Sequence, residues 1–315
     1  MKAETWFRHP GGILVSSLAA TMLWGSALPV IKLSYAHIGI EPGDTFEQWL
    51  FAGYRFTLAG LMLVLLSMLL NRKRRDNITT LPWPRLLRLG VVQTLLQYLV
   101  LYVGLSYSSG VEGSILVGST SLFQILSARL LDNRERLNAG KWFGLLMGFS
   151  GILVIGFAQQ GMHVTFGIGS VLLLASAIFG GFGNVLAKRE SGYESVISLT
   201  GKQMLVGGLG LLILGALNTG LTPFHLDAEG WGLLMYLSLL SAAGFALWNT
   251  VMKYNDVGKV SLYLFLIPVF GVLLSTLLLG EKLSIWIGAS LLLVVTGIII
   301  ANRAGRKKVE NIVRN

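Results

Sequence analysis

The stretch WGSALPVIKLSY, residues 24–35, sets a proline and a lysine inside a run that is otherwise apolar enough for hydrocarbon. On a helix turning 100° per residue, Gly25, Pro29, Lys32 and Ala36 fall within about 40° of one direction, so Lys32 shares a face with small residues. That face could line a cavity, with Lys32 as a solute's carboxylate partner or as a gate. Equally, the lysine stem could reach over the roughly 9 Å to the helix end and leave its charge at the interface. A charge left in hydrocarbon costs about 2.5–3.5 kcal/mol on insertion scales, and charges that persist usually face a protein interior or a pathway. Pro29 has no amide hydrogen and its ring displaces the carbonyl of Gly25; Pro268 does the same to Leu264. Both prolines are candidate breaks or hinges in apolar helices.

Arg55 is a second intramembrane cation, on a face shared with Gln48, Ala52 and Ala59, and reads as a structural anchor or an outer gate ahead of a solute contact. Gln93 and Gln97 are four residues apart and share a helix face. Their amides either bond a neighbouring helix or offer donors and acceptors to a solute. Gln124 and Asn184 sit near the middle of their apolar runs with the same two readings open. Asn184 follows the glycines of FGGFGN, which let backbones approach closely. Trp24, Tyr98 and Trp248 lie deep and are candidates for an aromatic wall suited to amphipathic organic solutes, or for plain core packing. Trp6, Trp83, Trp142, Trp231 and Trp286 lie near the ends of apolar runs and read as interfacial belt residues.

Several chemistries are missing. Without cysteine there is no thiol nucleophile, disulfide or cysteine metal site. His9, His37, His163 and His225 show no i, i+4 pairing, so no metal site and no cofactor is expected. A lipid-modifying membrane enzyme, the remote alternative, would need a clustered nucleophile, base or metal ligands near one interface, and none is visible. The net charge of +10 does not point to nucleic acid, because no soluble basic face interleaved with aromatics accompanies it.

The elements that must hold these residues are membrane helices. The chain is 53% hydrophobic and 13% charged, about half the charge of a soluble domain, with a mean hydropathy of +0.68. Apolar runs of spanning length lie near 13–38, 48–70, 86–106, 112–131, 139–158, 167–187, 195–217, 231–252, 259–279 and 283–302. The first is too long for a signal-peptide core and reads as an uncleaved helix. With the N-terminus in the cytoplasm, every Lys and Arg except Lys32, Arg55 and Lys282 falls on the cytoplasmic side, and the acidic EPGDTFE and HLDAEG loops fall outside. Both termini are expected in the cytoplasm, in a plasma membrane such as the bacterial inner membrane.

Residues 135–154 lie over 281–300 without a gap, matching at Glu135/Glu281, Leu137/Leu283, Leu145/Leu291, Leu146/Leu292, Gly151/Gly297 and Ile152/Ile298. The same shift superposes the neighbouring spans. The expectation is an all-α integral membrane protein of ten transmembrane helices, as two inverted five-helix repeats at 1–160 and 161–315. Gly140, Gly144 and Gly148 form a small-residue stripe for helix packing, within the chain or in a homodimer.

The chain resembles the drug/metabolite transporter superfamily, specifically its ten-helix EamA-type members, through WGSALPVIK, YRF, LWNTVMKY and the long IPVFGVLLSTLLLGEKLSIWIGASLLLVVTGIII segment. The resemblance implies an exporter or exchanger of small metabolites whose cavity is bounded mainly by helices 1, 3, 4, 6, 8 and 9. It departs from the related small multidrug resistance proteins, which carry an acid in helix 1; here that helix has none, and Glu112, Asp132, Asp256 and Glu281 sit at span ends. The expected solute is therefore zwitterionic or neutral and amino-acid-like. The alternative is broad-specificity drug or metabolite efflux.

Overall fold

A computed structural model of the protein describes residues 3–41, 43–70, 80–107, 116–131, 138–160, 167–279 and 285–313. Among the described residues there is no strand, and the helices follow the apolar runs. A short α1 (Ala3–Arg8) leads into α2 (Pro10–Ile38), then α3 (Thr45–Leu70), α4 (Trp83–Gly90) and α5 (Gln97–Ser106). Next come α6 (Thr120–Leu131), α7 (Ala139–Gln160), α8 (Ile168–Glu190), α9 (Val196–Thr219), α10 (Ala228–Tyr254) and α11 (Val257–Val260). The chain ends with α12 (Leu266–Leu279) and α13 (Trp286–Val313).

Six stretches are long and apolar enough to cross a membrane: α2, α3, the combined α4–α5 span, α8, α9 and α10. Shorter apolar helices at Leu116–Leu131, Val257–Gly271 and Gly288–Ile300 overlap three further expected spans, and α7 covers the one expected near 139–158. The protein is a helical integral membrane protein. Glu112, Asp132, Glu135, Glu281 and Lys282 lie outside the described residues.

Helix ends follow local chemistry. Gly39 and Gly220, at φ of 76° and 75°, close α2 and α9 in a conformation that costs other residues a Cβ clash. Asp227 caps α10 by accepting from the Gly230 amide at 2.8 Å, and Ser195 caps α9 through the Ser198 amide at 3.2 Å.

Two irregular turns interrupt this regularity. A π-helical turn, Val91–Leu96, joins α4 to α5, and a 3₁₀ turn, Ser261–Phe265, precedes α12. The break expected around Pro268 therefore lies ahead of it: Pro268 is the third residue of α12, where a missing amide hydrogen is harmless, and the Leu264 carbonyl accepts from Leu266. At Pro29 the helix runs on without interruption to Ile38.

Packing pairs α3 with α9 and α7 with α13, while α2 lies against α10 and α12, and α8 against α5 and α6. Glycines set the closest approaches. A Cβ added to Gly208 of α9 would stand 2.6 Å from the Thr57 amide nitrogen, and one on Gly215 equally close to that of Leu50. Spaced seven apart with Gly201, these residues give α9 a flat seam on which the α3 backbone rests. Gly144 of the predicted stripe faces Gly297 of α13, whose added Cβ would lie 2.7 Å from the Gly144 carbonyl, and Gly148 faces Phe265. Two of the three stripe glycines are thus used inside the chain.

Candidate functional site

The polar residues inside the spans come together in one chain of hydrogen bonds. Gln93 Nε2 donates to Asn184 Oδ1 at 2.8 Å, and Asn184 Nδ2 donates to Gln124 Oε1 at 2.6 Å. Gln124 Nε2 donates to Ser261 Oγ at 2.6 Å, and Ser261 Oγ donates to the Val257 carbonyl at 2.6 Å. Every donor points the same way, so each bond polarises the next. The series opens at Gln93 Oε1, a buried acceptor without a partner among the described residues. Gln93, Gln124 and Ser261 are fully buried and Asn184 nearly so.

Close backbones make this chain possible. A Cβ on Gly181 would lie 2.5 Å from the Gln124 backbone nitrogen, one on Gly183 2.7 Å from Gln93 Cβ, and one on Gly180 2.9 Å from Gln97 Nε2. The three glycines before Asn184 therefore let α8 settle between α6 and the π turn. Of the two readings offered for Asn184, the contacts seen are those of packing: its amide bonds Gln93 and Gln124 on neighbouring helices. Gln97 also faces α8, half-buried, and its amide has no hydrogen-bond partner among the described residues. The chain's two ends rest on the two irregular turns, Gln93 in the π turn and Ser261 at the start of the 3₁₀ turn. Such interruptions inside membrane helices expose backbone and re-aim side chains, and they concentrate at functional sites.

Trp24, Tyr98 and Trp248 belong to an aromatic cluster. The Trp24 ring lies 5.7 Å from Trp248 and 5.1 Å from Phe245, and Phe56 lies 4.2 Å from Tyr98. The indole nitrogens of Trp24 and Trp248 are buried without partners among the described residues.

Arg55, which the sequence offers as a structural anchor or an outer gate, lies in the interior. It is 2% exposed, with Nε 2.7 Å from Ser241 Oγ and 3.3 Å from the Leu237 carbonyl, and Nη1 3.5 Å from the Tyr102 hydroxyl. Lys32 differs: it is exposed, and no hydrogen bond or ion pair joins it to a described residue. Gly25 and Pro29 of its predicted face are buried, Gly25 against Phe270. Only the C-terminal part of that face, Lys32 and Ala36, is exposed.

Two pairs escaped the sequence reading. Thr94 Oγ1 donates to Gln203 Oε1 at 2.7 Å, and Asn249 Nδ2 donates to Thr200 Oγ1 at 3.0 Å. Gln203 and Asn249 carry the same signal as Gln93, a lone amide in an apolar run, and could have been found by it.

At the end of the bundle where α4 begins and α8 ends, charges pair across elements. Arg88 meets Glu190 at 2.9 Å, Lys141 meets Asp256 at 2.9 Å, Lys202 meets Glu194 at 2.6 Å, and Asn255 Nδ2 donates to the Phe7 carbonyl at 2.8 Å. At the opposite end His37 Nε2 stands 2.8 Å from Asp227 Oδ1. The Gly230 amide, and then His37, hold the Asp227 carboxyl below its ordinary range. Among the described residues no group of His, Asp and Glu could hold a metal ion.

The EamA-like transporter family model matches residues 11–157 and 167–303. The chain is 29% identical to "Uncharacterized transporter YvbV" of Bacillus subtilis (strain 168), over 89% of this chain and 88% of that protein. It is 27% identical to "Uncharacterized transporter sll0355" of Synechocystis sp., over 93% and 90%. It is 24% identical to "Probable amino-acid metabolite efflux pump" of Escherichia coli (strain K12), over 91% and 93%. A solved crystal structure, 20% identical in sequence, has the same fold, with a TM-score of 0.76 over 95% of this chain and 99% of its own.

Proposed function

The chain belongs to the EamA-like transporter family, and from that premise we propose that it is a secondary transporter that exports or exchanges a small zwitterionic or neutral, amino-acid-like metabolite by alternating access. One observation carries the reading: a buried series of amides, headed by the unpaired acceptor Gln93 Oε1, spans the space between two irregular turns. An open acceptor among amides suits the ammonium or amide hydrogens of such a solute. Gln93, Gln97, Gln124 and Asn184 are the polar contacts, and Trp24, Tyr98 and Trp248 form the aromatic wall. The name of the Escherichia coli relative agrees with this class of solute.

The transport cycle proposed is that of ten helices in two inverted repeats, 1–160 and 161–315. Its support is an exchange pattern in the packing. If α2 is helix 1 and α8 is helix 6, helix 1 lies on helices 8 and 9, and helix 6 lies on helices 3 and 4. A shift of five helices carries one set onto the other. The family model also matches the two stretches separately. The ion pairs at the Glu190 end would part when that end opens, and the two irregular turns, with Pro29 and Pro268, would absorb the movement. The proposed orientation has both termini in the cytoplasm, at a plasma membrane, and the charge asymmetry of the loops supports that orientation. A cysteine introduced at Asp44 should then react in intact cells with a membrane-impermeant thiol reagent, while one at Asp76 should not.

Counterflow in proteoliposomes against amino acids, their amides, organic acids and lipophilic cations tests the solute class. Exchange of amino acids or their amides supports the proposal. Exchange confined to lipophilic cations would replace it with broad-specificity efflux.

A further inference from the structure

We propose that Arg55 is the carboxylate-binding residue of the transport path, and that the solute it takes is a monocarboxylate with an apolar or aromatic body. The inference rests on the transport reading and names the chemistry of one station along that path.

A guanidinium carries five N–H donors in a rigid fork. In Arg55 the Nε hydrogen is taken by Ser241 Oγ and the Leu237 carbonyl, and one Nη1 hydrogen by a long contact to Tyr102. The other Nη1 hydrogen and both on Nη2 have no acceptor among the described residues, and no carboxylate of these residues lies within 4.0 Å. Every partner is neutral. The other buried cation among the described residues is treated differently: Lys141 meets Asp256 at 2.9 Å. A buried charge with neutral partners only is costly to keep, and the unused part of the fork has the geometry that accepts a carboxylate through two parallel bonds.

The surroundings define the rest of the ligand. The guanidinium carbon lies 5.0 Å from the centre of the Phe56 ring, and the ring of its partner Tyr102 stands 6.1 Å from that of Tyr98 and 6.5 Å from that of Tyr35. The Tyr35 hydroxyl is buried without a partner and is a second donor for an acid. Among the described residues no other cation stands beside it, so the site matches one negative charge, not two. Ring contacts lead outward from Tyr102 to Tyr35 at 6.5 Å, to Phe51 at 5.7 Å and to Phe224 at 6.1 Å. Phe224 borders an open pocket with Tyr54 and Trp231. These rings belong to one packed aromatic core, and surroundings of this kind suit an apolar body. Gln93 lies nine residues before Tyr102 on the same span, about 13 Å at helical rise, farther than an amino acid's own charges are apart. The arginine and the amide series are therefore successive stations.

The test measures binding per folded molecule for the whole protein in nanodiscs, with 3-phenylpropionate, phenylalanine and phenylalaninamide as probes. Unsubstituted protein should prefer the two acids to the amide. In Arg55→Gln acid affinity should fall about ten- to a hundredfold and amide affinity should hold, erasing the preference. Arg55→Lys should keep part of it. Tyr35→Phe should weaken acid binding several-fold without lowering the thermal midpoint, since the hydroxyl it removes bonds nothing in the folded protein. Folded Arg55→Gln with the original preference overturns the inference and leaves the transport reading standing. If Arg55→Gln does not fold, full preference in both Arg55→Lys and Tyr35→Phe overturns it. Unsubstituted protein that binds none of the three probes also overturns it, and the counterflow panel then decides separately whether the transport reading falls too.

Discussion

The packed pair α3 and α9 sends polar side chains toward the α4–α5 span and α10, two from α9 and one from α3, and the two sides are built differently. From α9 come Gln203 and Thr200, which meet Thr94 and Asn249 at 2.7 and 3.0 Å. Neutral group meets neutral group, and only Gln203 Nε2 and Asn249 Oδ1 are left over. From α3 comes Arg55, which meets Tyr102 and Ser241 with a full charge and no counter-charge among the described residues. Apolar surroundings make any polar contact between helices worth having, yet such contacts average only about 0.6 kcal/mol in membrane proteins. Neutral pairs suffice for holding helices together. A charge at the corresponding place exceeds what packing requires, and the excess marks the α3 side as the one that receives a ligand.

That contrast can be broken by exchanging what each side loses. Gln203→Leu removes an acceptor from Thr94 and at the same time removes the unpaired Nε2. The Thr94 hydroxyl can turn to the carbonyl one helical turn earlier, as threonines in helices do. The expected loss of stability is within about 1 kcal/mol, read as a small shift of the thermal midpoint in detergent. The acid-over-amide preference should be unchanged. Arg55→Gln should do the reverse, with a large loss of preference and a midpoint that is level or higher, because an uncompensated buried charge has gone. Equal losses of preference in the two variants would mean that the charge is not what separates the two sides.

Much of this was legible in the sequence, and the part that was not has a physical reason. Spans follow from the bilayer's thickness, which acts on each run by itself, and the six helices of spanning length meet the expected ones within a few residues. Gln93, Gln124 and Asn184 stood out because an amide in hydrocarbon demands a partner. Their joining in one series was hidden, because it depends on how close α8 comes to two other helices. The glycines at 180, 181 and 183 hinted at that closeness without naming a neighbour. The π turn at Val91–Leu96 has no glycine or proline within it, and its extra residue is fixed by contacts such as Thr94 to Gln203. Ser261 looked like any serine near a span end. Arg55 was legible as an anchor or outer gate, but its burial was not, because that is decided by Ser241 and Tyr102, more than forty positions away.

Lys32 supplies the smallest expected effect and the sharpest check on the arginine. Lys32 sits near the C-terminal end of α2 and Arg55 in the N-terminal half of α3, and either could have been the group that meets an acid. They differ in what surrounds them. Lys32 is exposed, at a place where the face it shares with Ala36 has opened, whereas Arg55 is shut in by three helices. A flexible ammonium in contact with an aqueous or interfacial region keeps its hydration, and an ion pair made there gains little. A buried guanidinium has already lost that hydration and gains far more from an acid. Lys32→Met keeps the stem and removes the charge, so it separates tether from binding group. The yield of inserted protein should fall, since the stem can no longer hold a charge at the interface. Binding per folded molecule should retain its preference for acid over amide within about twofold, which is roughly 0.4 kcal/mol. A tenfold loss in folded Lys32→Met, with Arg55→Gln unaffected, would move the carboxylate site to the mouth of α2 and leave Arg55 as a structural charge.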